Sequence, residues 1–175
     1  HHIQFVNALI DFYGKSGDID KAINVFNNLS SHKKDTVSLN SMMNVYNDNE
    51  QYNKSIKLYE TYNGKHNDVS NLLFIKACIN ISDYDKAKRL IDSVTKTGED
   101  INNHSIELIN CLIAFYGEIG DIDTAINIFD GIPSHKLNIA SIGAMMNAYN
   151  NNEQYDETIN LYHNITCLLY TSDAA

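Results

Sequence analysis

The residues that could carry chemistry in this 175-residue chain are an excess of asparagines, a twice-repeated histidine and three scattered cysteines. Asn occurs 24 times, about one position in seven, well above ordinary usage. One amide side chain both donates and accepts hydrogen bonds, a capacity suited to recognition. Ser31-His32-Lys33 recurs as Ser134-His135-Lys136. A repeated His invites a catalytic or metal-ligand reading, but no carboxylate or thiol constellation accompanies either copy, and both are read as turns. Cys78, Cys111 and Cys167 have no metal-ligand spacing and are odd in number. They read as free thiols of a reducing compartment, two of them in the core. No Gly-rich phosphate loop, metal quartet or nucleophile elbow occurs, so the sequence points to no catalysis and no cofactor.

Charge narrows the partners. The formal net charge is −9 and the sequence pI about 5.1, the wrong sign for a strong, sequence-independent grip on phosphates. No apolar run is long enough to span a bilayer, so no membrane role is expected. The chain does not open with Met and shows no signal-peptide pattern; it reads as an internal fragment, from which a targeting segment would be missing. Pro occurs once, at Pro133, in keeping with a mostly helical chain.

These residues sit in a repeat. Residues 7–59 and 110–162 align at an offset of 103, with 30 of 53 positions identical, far above chance for an internal comparison. That period is too long for one helical hairpin and must hold several smaller units. Leu9, Ile10, Phe12 and Tyr13 mark one apolar face, read as core. Gly17-Asp18 then breaks the chain, and the Asp can cap a second helix. Ile19, Ala22, Ile23, Phe26 and Leu29 recur at three- and four-residue steps, as in an amphipathic helix. Further pairs run through Met42–Tyr46 and Ile56–Tyr59, then Leu73–Cys78 and Tyr84–Val94. The fourth and fifth pairs repeat the first two. The breaks between paired helices fall at Asn47–Glu50, Ser82-Asp83, Gly120-Asp121 and Asn150–Glu153. No period-two alternation signals a strand. Such two-helix units complete their cores only by stacking, so the expected fold is all-α, a solenoid of about five helix-turn-helix repeats.

The motifs are narrower than that. NALIDFYGKSGDIDKAINVFNNL at 7–29 and NCLIAFYGEIGDIDTAINIFDGI at 110–132 resemble the short, or S, motif of the PLS branch of pentatricopeptide-repeat proteins. The likeness rests on Asn-x-Leu-Ile, the Tyr-Gly that ends the first helix, the Gly-Asp turn, and the later Ala and Phe. NDVSNLLFIKACINISDYDKAKRLIDSVTKTG at 67–98 resembles the long, or L, motif through its Lys-Ala-Cys and Lys-Thr-Gly. Residues 36–66 and 139–166 fall where P motifs belong. An S-P-L-S-P order accounts for the 103-residue super-period. The resemblance implies a right-handed superhelix with repeats at about 3–35, 36–67, 68–105, 106–138 and 139–166.

The resemblance also implies a modular code, in which each repeat reads one base of single-stranded RNA with two or three side chains. One reader lies in the first turn of the repeat's first helix; its partner is the last residue of the same repeat. The pairs become Asn7 with Asp35, Asn40 with Asn67, Leu72 with Ser105, and Asn110 with Asn138, while Gly143 opens a fifth unit. In this family Asn-Asp resembles a uracil-preferring pair and Asn-Asn a pyrimidine pair that favours cytosine. An apolar residue near the start of the first helix wedges between bases, a role that Val37 and Val69 match and Gln4, Glu107 and Ala140 do not. Lys15 matches a phosphate-contacting Lys near the end of that helix; Asp48, Asn80, Glu118 and Asn151 stand at its equivalents. Lys33-Lys34 is read as a solvated turn, and Asn164-Ile165-Thr166 as a chance match to a glycosylation acceptor. The family further implies a mitochondrial or plastid protein that positions transcripts for processing or C-to-U editing, alone or with editing or processing protein partners. The editing chemistry would lie in a separate deaminase domain that this chain does not contain. A protein-interaction solenoid that binds no RNA is the rival reading, motivated by the acidic charge. Residues 167–175 leave the pattern and are read as a non-repeat, non-native tail.

Overall fold

The computed structural model describes residues 2–30, 33–95 and 101–172, with side chains at 3–30, 33–95 and 101–164. Ten α-helices make up the described chain, with no strand among the described residues: α1 (His2–Lys15), α2 (Ile19–Asn27), α3 (Thr36–Asp48), α4 (Tyr52–Thr61), α5 (Asp68–Asn80), α6 (Tyr84–Thr95), α7 (Ile106–Glu118), α8 (Ile122–Asp130), α9 (Ile139–Asn151) and α10 (Tyr155–Ser172). A short 3-10 turn, Ile101–Asn103, precedes α7. This is the all-α helix-turn-helix repeat expected from the periodicity. The chain forms two compact units, His1–Thr97 with α1–α6 and Gly98–Ala175 with α7–α10.

Each hairpin is set by its turn. The residue that closes the first helix of a pair is left-handed: Gly17 at φ 77° and Gly120 at 81°, Glu50 and Glu153 at 59°, and Ser82 at 58°. Glycine adopts this conformation freely, whereas an L side chain does so at a cost. An acidic residue then caps the second helix in three pairs. Asp18, Asp83 and Asp121 accept from the backbone N–H groups of Lys21, Lys86 and Thr124 at 3.3, 3.1 and 3.2 Å. The repeated Gly-Asp is thus a helix stop followed by a helix start.

Within each unit the first helices of successive pairs pack on one another, α1 on α3 and α3 on α5 in the first, α7 on α9 in the second. The Tyr-Gly shared by the two super-repeat copies permits the close approach. A Cβ on Gly14 would lie 2.3 Å from Val45 Cγ2, and one on Gly117 would lie 2.5 Å from Ala148 Cβ and 2.7 Å from its Cα. The same crossings are tied by asparagines. Asn49 Nδ2 donates to the Val45 and Gly14 carbonyls at 2.8 and 3.5 Å; Asn152 Nδ2 donates to those of Ala148 and Gly117 at 2.7 and 2.9 Å. Around α1, α2 and α3 the core holds Val6, Ile10, Ala22, Phe26, Leu29, Met42 and Val45.

Cys78 and Cys111 are buried thiols, with the Cys78 pKa pushed up to about 12, by burial first and by Asp83 second. Of the aromatic pairs read as core, Phe115 and Tyr116 are buried, but Phe12 is 63% exposed. Backbone of the segment read as a tail continues α10 to Ser172. Residues 1, 31–32, 96–100 and 173–175 lie outside the described residues, and with them Ser31, His32 and the Lys-Thr-Gly read as part of an L motif; the Cys167 side chain does too.

Candidate functional site

The residues singled out by the repeat register gather at the N-terminal ends of the first helices. Asp35, Asn67, Ser105 and Asn138 are the N-caps of α3, α5, α7 and α9. Their side chains accept from the backbone N–H three residues on, at 2.8 Å for Asp35 to Ser38, 3.0 Å for Asn67 to Ser70, 3.3 Å for Ser105 to Leu108 and 2.9 Å for Asn138 to Ser141. In α3, α5 and α9 the third residue is a buried Ser whose Oγ accepts in return from the cap's own N–H, a capping box. The asparagines, aspartate and serine at these places therefore have a structural reason to be there: each satisfies helix donors that would otherwise be unpaired.

The cap fixes what each side chain has left to offer. Asn67 Oδ1 accepts from Ser70 N and also from Asn40 Nδ2, at 3.2 Å. An amide oxygen so committed leaves Nδ2 as the free group, so the side chain presents a donor. The same bond orients Asn40: because Asn67 offers an acceptor, Asn40 must meet it with its NH2. Asp35 commits Oδ1 to the cap and has Oδ2, an acceptor, to spare.

Five residues beyond each cap comes the other partner of the register: Asn40, Leu72, Asn110 and Gly143, with Asn7 at the equivalent place in α1. Asn40 and Asn67 touch through the hydrogen bond just described, so one register pair meets directly. Asn7 and Asn40 are more enclosed than a solvent-facing row, at 7% and 9% exposure, because each lies a full turn inside its helix against the neighbouring first helix. Oδ1 of Asn7, Asn40 and Asn110 is inaccessible and unpartnered in each case. An unmatched buried acceptor costs about 1–3 kcal/mol, and here it recurs at one place in three repeats. Leu72 is half-buried and has no hydrogen-bonding group. Val37 and Val69, in the first turns of α3 and α5, are 57% and 44% exposed.

Further along α1 and α3 run Asp11 and Lys15, and Asn44 and Asp48, which line a cleft of about 120 Å³ with Gly14 and Val45. Lys15 shares it with two carboxylates. In the second unit, Glu118 at the place of Lys15 accepts from Asn151 Nδ2 at 3.1 Å. The net charge of −9 is unevenly placed. Residues 1–97 carry twelve Lys and Arg against eleven Asp and Glu; residues 98–175 carry one Lys against eleven acids. That one, Lys136, donates to the carbonyls of Asn102 and His104. Sequence reasoning on the whole-chain charge missed this division, which counting by super-repeat would have found. Among the described residues no group of three or more His, Cys, Asp or Glu could hold a metal ion, and no helix is long and apolar enough to cross a membrane.

Comparison with known proteins gives the same repeat. The PPR repeat family matches residues 5–33 and 37–61. Among curated proteins, a chloroplastic pentatricopeptide repeat-containing protein of Arabidopsis thaliana is 29% identical over 164 residues, 92% of this chain and 22% of the relative. A mitochondrial one from the same plant is 30% identical over 134 residues, 75% of this chain and 19% of the relative. The chain thus spans about a fifth of the length of these relatives. Among solved structures, the pentatricopeptide repeat protein PPR10 from maize superposes with a TM-score of 0.60 at 18% identity, over 98% of this chain and 25% of that one. TPR-like repeats from Podosopora anserina superpose with a TM-score of 0.69 at 14% identity, over 99% and 97%. The fold is therefore common to two repeat families, and the sequence matches fall on one of them: the PPR repeat model covers the first two helical pairs, and the curated relatives are pentatricopeptide repeat-containing proteins.

Proposed function

We propose that the chain is a segment of a PLS-type pentatricopeptide-repeat protein, in S-P-L-S-P order, that binds single-stranded RNA one base per repeat. The observation that carries this reading is the contact between Asn40 and Asn67, the two residues that the register pairs, at the capped end of α5. Their amides bond to each other, Asn40 Nδ2 to Asn67 Oδ1. A base entering between them would break that bond, meet the donor left by the cap on Asn67, and give the orphaned oxygen of Asn40 a partner. Cytosine offers an acceptor at its N3, which suits the Asn67 donor; uracil offers an N3–H, which suits the spare Asp35 acceptor paired with Asn7. A pyrimidine preference results, with Asn7, Asp35, Asn40, Asn67, Asn110 and Asn138 as readers and Val37 and Val69 as wedges between bases. The exposure of the two valines in first turns supports the wedge role. With relatives named chloroplastic and mitochondrial, the function fits a specificity factor for processing or C-to-U editing of organellar transcripts, with the chemistry supplied by another domain or a protein partner.

The test is filter binding of the whole chain to short single-stranded RNAs at low and moderate salt. Pyrimidine oligomers should bind in preference to purine oligomers. Asn67→Asp keeps the cap and replaces a donor by an acceptor, so preference at that base should move from cytosine to uracil by roughly 1–3 kcal/mol, the scale of one good base contact. No binding to any pyrimidine-rich oligomer at low salt refutes the reading. One observation favours the rival for the second unit: its eleven acids against one committed Lys suit a basic protein surface better than a phosphate chain.

A further inference from the structure

We infer that in the first unit the RNA backbone is held at the loops leading into α3 and α5, by Lys34 and Lys65, and not along the C-terminal ends of the first helices. This rests on the RNA-binding reading and adds to it the track of the phosphates. Lys34 directly precedes the cap Asp35, and Lys65 stands two residues before the cap Asn67. The two loops are clasped together, with Thr36 Oγ1 donating to the Lys65 carbonyl at 2.7 Å. Both lysines therefore belong to the end of the helices where Asp35 caps α3 and Asn40 meets Asn67.

Beside them opens a cleft of about 440 Å³ lined by Phe26, Lys34, Leu58, Tyr62, Asn63 and Gly64, among others. The Lys34 ammonium lies 4.4 Å from the Phe26 ring centroid. Gly64 lets the Tyr62 ring fold over its own loop as a wall, since a Cβ there would fall 2.3 Å from Tyr62 Oη. Lys33, Lys34 and Lys65 form no ion pair among the described residues, whereas Lys21, Lys86 and Lys88 are paired with carboxylates. Their charge is open to an incoming anion, and the N-termini of two 13-residue helices add to it.

The alternative track is worse on both distance and charge. Lys15 and Asp48 lie eight residues beyond Asn7 and Asn40, about 12 Å along the helix at 1.5 Å per residue. There a phosphate would meet Asp11 and Asp48 as well as Lys15. Comparison of the two super-repeats marks the loop lysines as particular to the first. Leu137 replaces Lys34, and Lys136, the counterpart of Lys33, is tied to carbonyls.

The experiment is fluorescence anisotropy of the whole chain with a labelled ten-nucleotide RNA of mixed C and U, from low to physiological salt. Each single-strand phosphate contact contributes about −0.7 to the slope of log K against log salt. Lys34→Ala and Lys65→Ala should each flatten the slope by about that amount while leaving the ratio of cytosine to uracil binding unchanged. Lys34→Arg should restore it, and Lys15→Ala should leave it as it is. If the wild type binds and neither alanine variant alters the slope, or if either variant instead changes base preference at constant slope, the loop track is wrong. If the wild type binds no RNA, the underlying function fails first.

Discussion

Gly117→Ala tests whether the repeat stack depends on one backbone approach. The added methyl would stand 2.5 Å from Ala148 Cβ and 2.7 Å from Ala148 Cα, where carbon atoms settle at about 3.5–4.0 Å. Neither partner atom can swing away: one is backbone, and the other is the first carbon of a buried alanine. Relief requires α7 and α9 to separate by about 1 Å, which would also strain the Asn152 bonds to the Gly117 and Ala148 carbonyls. Overpacking of this kind costs about 1–3 kcal/mol. Against it stands the gain from replacing a helical Gly by Ala, about 1 kcal/mol. Steric strain and lost hydrogen bonding together outweigh propensity, and the net expectation is a loss of about 1–2 kcal/mol. Urea unfolding followed by circular dichroism measures it, and Ala148→Gly, which removes one of the two struck atoms, should cost less in the Gly117→Ala background than in the wild type. Unchanged or raised stability in the single variant, or an Ala148→Gly cost as large in that background as in the wild type, would refute the packing argument.

Two other perturbations come from local geometry. Glu50 and Glu153 hold the left-handed turn that Gly17 and Gly120 hold elsewhere, so Glu50→Gly and Glu153→Gly should each raise the urea midpoint, by about 0.5–1 kcal/mol of stability; a lower midpoint counts against the strain. His66 stacks on Tyr59 with ring centroids 3.8 Å apart, and burial lowers its pKa below the ordinary 6.5. A histidine kept neutral in the fold contributes stability that is complete above that ordinary value and is lost as pH falls through it. His66→Phe keeps the stack without the titration, so the wild type should lose more stability than the variant between pH 7.5 and 5, and equal losses would contradict the assignment.

The helices were legible because their signals are local. Gly17-Asp18 and Gly120-Asp121 announce a stop and a cap in adjacent residues, and Ile19, Ala22, Ile23 and Phe26 mark a buried stripe by spacing alone. The super-period was legible because two copies of one sequence stand in the same chain. The hidden features depend on partners far off in sequence. Nothing in the string tells that Gly14 faces Val45, or that Asn49 reaches back 35 residues to the Gly14 carbonyl. Phe12 and Phe115 are identical residues at identical places in the repeat, yet one is exposed and the other buried, because burial belongs to the neighbour and not to the residue. The register pairs were named from family resemblance; that their second members are helix caps emerged only with the backbone.

That double duty bears on how such a site can change. A cap tolerates Asp, Asn and Ser with small differences in helix stability, and those are the residues found at positions 35, 67, 105 and 138. To the helix they are near equivalents, since each offers one oxygen to a backbone N–H. To a ligand they differ in sign: the oxygen left on Asp35 accepts and the nitrogen left on Asn67 donates, while Ser105 carries a hydroxyl in place of either. On the proposed reading, substitution among them would alter what is presented to a base without unsettling the fold that presents it. The first partner is less free. Asn7 and Asn40 lie enclosed between helices, so replacing them disturbs packing as well as hydrogen bonding. Exchange at the caps should therefore change recognition at nearly constant stability, whereas exchange at Asn7 or Asn40 should move both.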